Sequence, residues 1–165
     1  FPSEQLGPVM RFDPATSRRN IQMGYYDTMR FMRELPGQLY YFSEKADGFA
    51  AFAALPENAI KAAGIPLRLP EGLSPRRALF EHILPAVAAE LRLPREAGYD
   101  DLLLALLEHR AEQLGIGRFR WYTPAQLQAV IAESTALPEE PRRPLLRSRP
   151  LEAAEILAAA LPLLG

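Results

Sequence analysis

The sequence predicts a mainly α protein, a bundle of about six or seven helices with one short extended aromatic segment. Three observations predict it. Apolar residues recur at helical spacing in several stretches. Ser, Thr or Asp caps, usually with Pro, open those stretches, and Gly or Pro closes them. A single piece, QLYYFSE at 38–44, is short, aromatic and extended in character. At 165 residues, 48% hydrophobic and 24% charged, the chain has the size of one ordinary domain and enough apolar surface for a core.

The elements follow in order. Asp13-Pro14 is an Asp cap before Pro at the first helical position. Ile21, Tyr25, Met29, Met32 and Leu35 then recur as the apolar stripe of a long helix, which Pro36-Gly37 is expected to stop. Gly24 lies inside that helix, where it costs about 1 kcal/mol relative to Ala, so something should offset the loss. EKADGFAAFAAL (44–55) and PENAIKAAG (56–64) read as two short helices, the second ending at Gly64. The Pro-rich connector IPLRLPEGL (65–73) divides the chain. Ser74-Pro75 opens the next helix, with a stripe of Phe80, Ile83 or Leu84, Val87 and Leu91, and Pro85 is expected to kink or break it. Leu102, Leu103, Leu106, Leu107 and Leu114 give the following helix a broad apolar face, with Gly115 as its stop. Thr123-Pro124-Ala125-Gln126 is a capping box. A Pro- and Arg-rich connector precedes the last helix, which is apolar all round from Ile156 to Leu164. Texture changes near residue 43: residues 1–43 hold the long helix and extended segment, and 44–165 the helical bundle.

Composition excludes several functions. There is no cysteine, hence no disulfide, thiolate nucleophile or Cys-built zinc site. A net charge of −1 gives no global field toward nucleic acid. All 19 basic residues except Lys45 and Lys61 are Arg, a skew that reads as genome composition. No serine lies in G-x-S-x-G; in GLSPR (72–76) Arg76 takes the second Gly position and Ser74 reads as a cap. His82 and His109 are isolated on separate helices, so neither a metal nor a cofactor is expected. Asp100-Asp101 suits the positive end of a helix dipole. GIGRFRWYTP (115–124) interleaves Arg118 and Arg120 with Phe119, Trp121 and Tyr122, a pattern that can stack on bases. Two arginines in a near-neutral chain supply little phosphate affinity, and core aromatics with exposed arginines is the stronger reading. Arg142, Arg143, Arg147 and Arg149 precede the apolar last helix and form a membrane-contact candidate. That helix is too short for a bilayer span of about 20 residues, and burial within protein is the stronger reading. FPSEQLGPVM is not a signal peptide, and its Phe start suggests a piece of something longer. The chain reads as soluble, cytoplasmic or membrane-peripheral.

The stretch FDPATSRRNIQMGYYDTMRFMRELPGQLYYF, residues 12–42, resembles a segment of bacterial patatin-like phospholipases. In them it follows the catalytic domain and begins a variable C-terminal region. The matching residues are Phe12, Asp13, Pro14, Arg19-Asn20-Ile21, Gly24-Tyr25, Asp27-Thr28, Gly37 and Tyr40-Tyr41-Phe42. The resemblance implies a parent lipid acyl hydrolase with a Ser–Asp dyad, its serine in G-x-S-x-G and its aspartate in D-G-G or D-G-A. This chain has neither: Asp47-Gly48 is followed by Phe49. No catalytic residue carries over, and activity is not expected of this chain alone. What carries over is a docking role. Gly24 would let another backbone approach, and Gly24, Tyr25, Tyr26 and Met29 are the candidate docking residues. The expectation is thus a non-catalytic C-terminal region docking on the catalytic domain, on another protein or on a membrane. The alternative is a free-standing helical interaction or oligomerisation module, with a nucleic-acid adaptor behind it. An apolar patch left open around Tyr25 and Met29 would favour the first, and a closed core the second.

Overall fold

The computed structural model describes residues 13–70, 72–136 and 148–162. Helix α1 spans Pro14–Met32, and the Asp13 carboxylate caps it, accepting from the Thr16 N–H (3.0 Å) and hydroxyl (2.8 Å). It stops short of Pro36. Glu34 adopts a left-handed conformation (φ 51°) and the Leu35 N–H turns back to the Arg30 carbonyl at 3.0 Å. Leu35 precedes a proline, which disfavours further helix there.

Strand β1 (Tyr41–Phe42) follows, then α2 (Gly48–Ala53) and α3 (Glu57–Gly64). Helix α4 covers 75–90 as one rod in three parts: an α turn at Pro75–Arg77, π-helical turns at Ala78–Ile83, and α-helix again at Leu84–Glu90. Pro85 does not break it. The Leu84 N–H reaches five residues back to the Leu79 carbonyl, and this wider turn accommodates a proline that has no N–H to offer. The buried stripe of α4 is Leu79, Ile83, Leu84 and Val87, with Phe80 half-buried. Helix α5 (Tyr99–Gln113), strand β2 (Trp121–Tyr122), α6 (Pro124–Ala136) and α7 (Arg149–Ala160) complete seven helices and two short strands among the described residues. The fold is the mainly helical bundle that the periodicities predict.

Helix α5 is the centre of the bundle. Leu102, Leu103, Leu104, Leu106, Leu107 and Ala111 are all buried, so it is covered on most of its circumference. Helix α7 lies across α3, α4 and α5 and buries Ala153, Ala154 and Leu157, the two alanines permitting close packing. Helix α2 touches the start of α5 so closely that a Cβ on Gly48 would overlap the Tyr99 carbonyl, and the Gly48 N–H donates to Asp100 Oδ1 at 2.8 Å. The caps work as their residue types suggest: Ser74 Oγ accepts from the Arg77 N–H (3.4 Å), and Thr123 and Gln126 complete a reciprocal capping box (3.1 and 3.0 Å).

Strand β2 is an addition, because 38–44 is the one strand the sequence suggests. The two strands pair in parallel, Tyr41 opposite Trp121 and Phe42 opposite Tyr122. Tyr40 and Phe42 enter the main core from this segment. Helix α1 stays outside it: of its 19 residues, Met23 alone is buried.

Candidate docking face on the first helix

Helix α1 is held by one side. Met23 points inward against Arg118 (Nη2 to Sδ 3.5 Å). The Tyr26 ring stacks on Tyr41 at 4.8 Å between centroids and lies 5.4 Å from Trp121. Asp27 Oδ1 accepts from the Tyr41 hydroxyl (3.0 Å) and from Arg30 (3.1 Å). Arg30 donates in turn to the carbonyls of Gly37 (3.2 Å) and Gln38 (2.7 Å).

The segment that receives Arg30 is gripped from its other side by Glu108 on α5. One carboxylate oxygen, Oε1, accepts the backbone N–H groups of Gln38, Leu39 and Tyr40 at 2.7, 3.0 and 3.0 Å. Glu108 is only 3% exposed. Burial pushes its carboxyl above the ordinary value, against the opposing pull of the three N–H groups and Arg30. Gly37 makes the turn possible: its φ is +100°, and a Cβ there would strike the Phe42 ring and the Tyr40 carbonyl. Burial likewise raises the Tyr40 phenol, which donates to the Ile116 carbonyl at 2.7 Å.

The opposite side of α1 is apolar and open. At about 100° per residue, Ile21, Tyr25 and Met32 fall on one strip facing away from Met23 and Arg30. Ile21 is 72% exposed, Tyr25 58% and Met32 72%, and Phe31 on the flank is 84% exposed. The sequence stripe is therefore the outer face of this helix rather than its seat. The seat is built from Met23, Tyr26, Asp27 and Arg30, three of which a hydrophobicity pattern scores as polar or ambivalent.

The four candidate docking residues divide accordingly. Gly24 and Tyr25 are exposed, Tyr26 turns inward, and Met29 is half-buried between the two sides. A Cβ on Gly24 would meet nothing within 4 Å, so no backbone of this chain uses its smallness. Thr28 spends its hydroxyl on the Gly24 carbonyl at 2.7 Å. Arg142, Arg143 and Arg147 lie outside the described residues; Arg149 is exposed in the first turn of α7, a helix buried against the bundle.

Elsewhere several residues that could carry chemistry have structural partners, while His82 is exposed on α4. Asp47 caps α2 through the Ala50 N–H at 2.8 Å. Asp101 Oδ2 accepts from the Gly98 N–H at 2.9 Å. His109 Nε2 lies 3.0 Å from the Gln113 amide nitrogen. Tyr122 is buried, while Arg120 is exposed with its guanidinium 4.7 Å from the Tyr122 ring centre. Among the described residues no group of three His, Cys, Asp or Glu side chains could hold a metal ion, and no helix is long and apolar enough to cross a membrane. Set beside known proteins, the chain matches no family model, no curated protein and no solved structure.

Proposed function

We propose that this chain is a non-catalytic helical docking module that engages its partner through the outer face of α1. The observation that carries the reading is the open strip of Ile21, Tyr25 and Met32, flanked by Phe31, on a helix already seated by its other side. Contiguous exposed apolar side chains of this kind mark contact surfaces. The partner that the resemblance of residues 12–42 implies is a patatin-like catalytic domain, which would make this the C-terminal region of a lipid acyl hydrolase. The test is sedimentation velocity of the chain mixed with a purified patatin-like catalytic domain. The expected result is a complex that Ile21→Asp and Tyr25→Asp abolish; no complex at micromolar concentration would refute the assignment of that partner.

A second reading, a free-standing interaction or oligomerisation module, is favoured by a different observation. Tyr40 and Phe42 already complete a core with α4, α5 and α6, so the fold closes without a partner. The same experiment on the chain alone separates the two: a reversible dimer dissolved by Ile21→Asp supports the module.

A further inference from the structure

We infer that the groove over α5, walled by the two loops beside it, is a binding site for a linear aliphatic polyamine, separate from the open face of α1. Its volume is about 400 Å³, within the range of small-molecule sites. Residues 36–38 form one wall, residues 93–97 the other, and α5 the floor. The carboxylates of Glu96, Asp101 and Glu108 line it, and among the described residues no basic side chain does. Arg95, on the same loop as Glu96, lines a separate groove. Leu93, Pro94 and Leu104 supply apolar surface. A cation with an aliphatic body suits both kinds of lining.

Glu108 is what distinguishes this groove from a solvated acidic face. The residue is only 3% exposed, and its Oε1 takes all three backbone N–H groups of residues 38–40. Oε2 accepts no hydrogen bond among the described residues, yet it is not sealed off, and the side chain lines the groove. Arg30 acts on this carboxyl from the far side of the 37–38 segment, but its guanidinium is bonded to Asp27 and to the Gly37 and Gln38 carbonyls. A buried carboxylate with one bare oxygen is costly, and an ammonium donating to Oε2 offsets that cost.

Spacing selects the kind of cation. Asp101 and Glu108 are seven residues apart on α5, hence on one face and about 10 Å apart along its axis, with Leu104 between them. Asp101 Oδ2 is held by the Gly98 N–H at 2.9 Å, which fixes that carboxylate and leaves Oδ1 for a ligand. No three acidic groups among the described residues converge on one metal ion. Carboxylates that share a groove but stand too far apart for one point charge match charges carried apart on a chain, with methylenes over Leu104.

The experiment is calorimetric titration of the whole chain with spermidine, butane-1,4-diamine and butylamine. The expected result is one-to-one binding of spermidine tighter than about 1 mM, with the diamine about tenfold weaker and the monoamine weaker still. Glu108→Gln should weaken spermidine about tenfold, and Asp101→Asn, at a more exposed carboxylate, severalfold. Ala105→Leu fills the floor of the groove without touching a charge and should weaken it about tenfold as well. Glu133→Gln, at an exposed residue of α6, should leave it unchanged. The amide resonances of Gln38, Leu39 and Tyr40, which donate to Glu108, should shift on adding spermidine and should show that each variant keeps its fold. No binding of spermidine overturns the inference. So does binding indifferent to both Glu108→Gln and Ala105→Leu, or magnesium competing as well as spermidine, the mark of an acidic surface only. Butylamine binding as tightly as spermidine overturns it too, and would make the groove the seat of a single lysine side chain.

Discussion

Glu108 performs for an irregular segment what an N-cap residue performs for a helix, offering one oxygen to three backbone N–H groups at once. Removing it leaves three inward-facing donors without their acceptor, so Glu108→Ala should destabilise the fold by about 3 kcal/mol or more. Glu108→Gln keeps an acceptor of the same shape and should cost less. The pair also has a pH signature. Because burial raises this carboxyl, the folded chain holds its proton to higher pH than the unfolded chain does. Its contribution to stability is fully present below the ordinary carboxylate value and is lost as pH rises through the raised one. Urea titrations across the acid range should therefore show the wild type declining relative to Glu108→Gln as pH increases. Gly48 makes a harder demand. A Cβ there meets the backbone of Tyr99 rather than a movable side chain, so Gly48→Ala should cost about 2 kcal/mol, measured by the same titration.

At the scale of elements, helix ends divide into those written in the sequence and those imposed on it. Asp13, Ser74 and the Thr123–Gln126 pair were legible, because a short polar side chain before Pro or an apolar run has few other uses. Gly115 was legible for the same kind of reason: it takes φ +68° and lets the Ile116 N–H close on the Ala111 carbonyl. Arg92 makes a matching turn at φ 55°, with Leu93 closing on Ala88, and nothing in an arginine announces it. Arg92→Gly should accordingly raise stability by about 1 kcal/mol in thermal melts. Gly24→Ala should strengthen α1 by about 1 kcal/mol, since the added methyl meets nothing. The candidate site was half legible. Its outer residues were found as a periodic stripe, but their direction was not, because α1 is seated by a tyrosine, an aspartate and an arginine whose value depends on Tyr41 and Gly37 elsewhere in the chain. Strand β2 was hidden likewise: two residues give no period, and their pairing exists only when the bundle brings Trp121 to Tyr41.

Across the described residues, burial is unevenly spread. Helix α5 is buried on most of its circumference, and α1 buries Met23 alone. Amide hydrogen exchange should divide the chain the same way, with α1 exchanging about a hundredfold faster than the middle of α5. Uniform protection of both would contradict that picture. The parallel bridge sets an order of events as well. Its partners, Tyr41 and Trp121, flank helices α2 to α5, so the bridge must close a long loop whose entropy is recovered only once the intervening helices have packed. Alone, a helix the length of α1 with a glycine inside is marginal in water. In refolding, far-ultraviolet helical signal should therefore precede the change in Trp121 emission. On this order helix α1 should come to rest last, on a platform that the finished bundle supplies. A partner of the kind proposed, gripping its far side, would in effect inspect completion: it would meet a seated, correctly turned helix on a mature molecule and a fluctuating segment on an immature one.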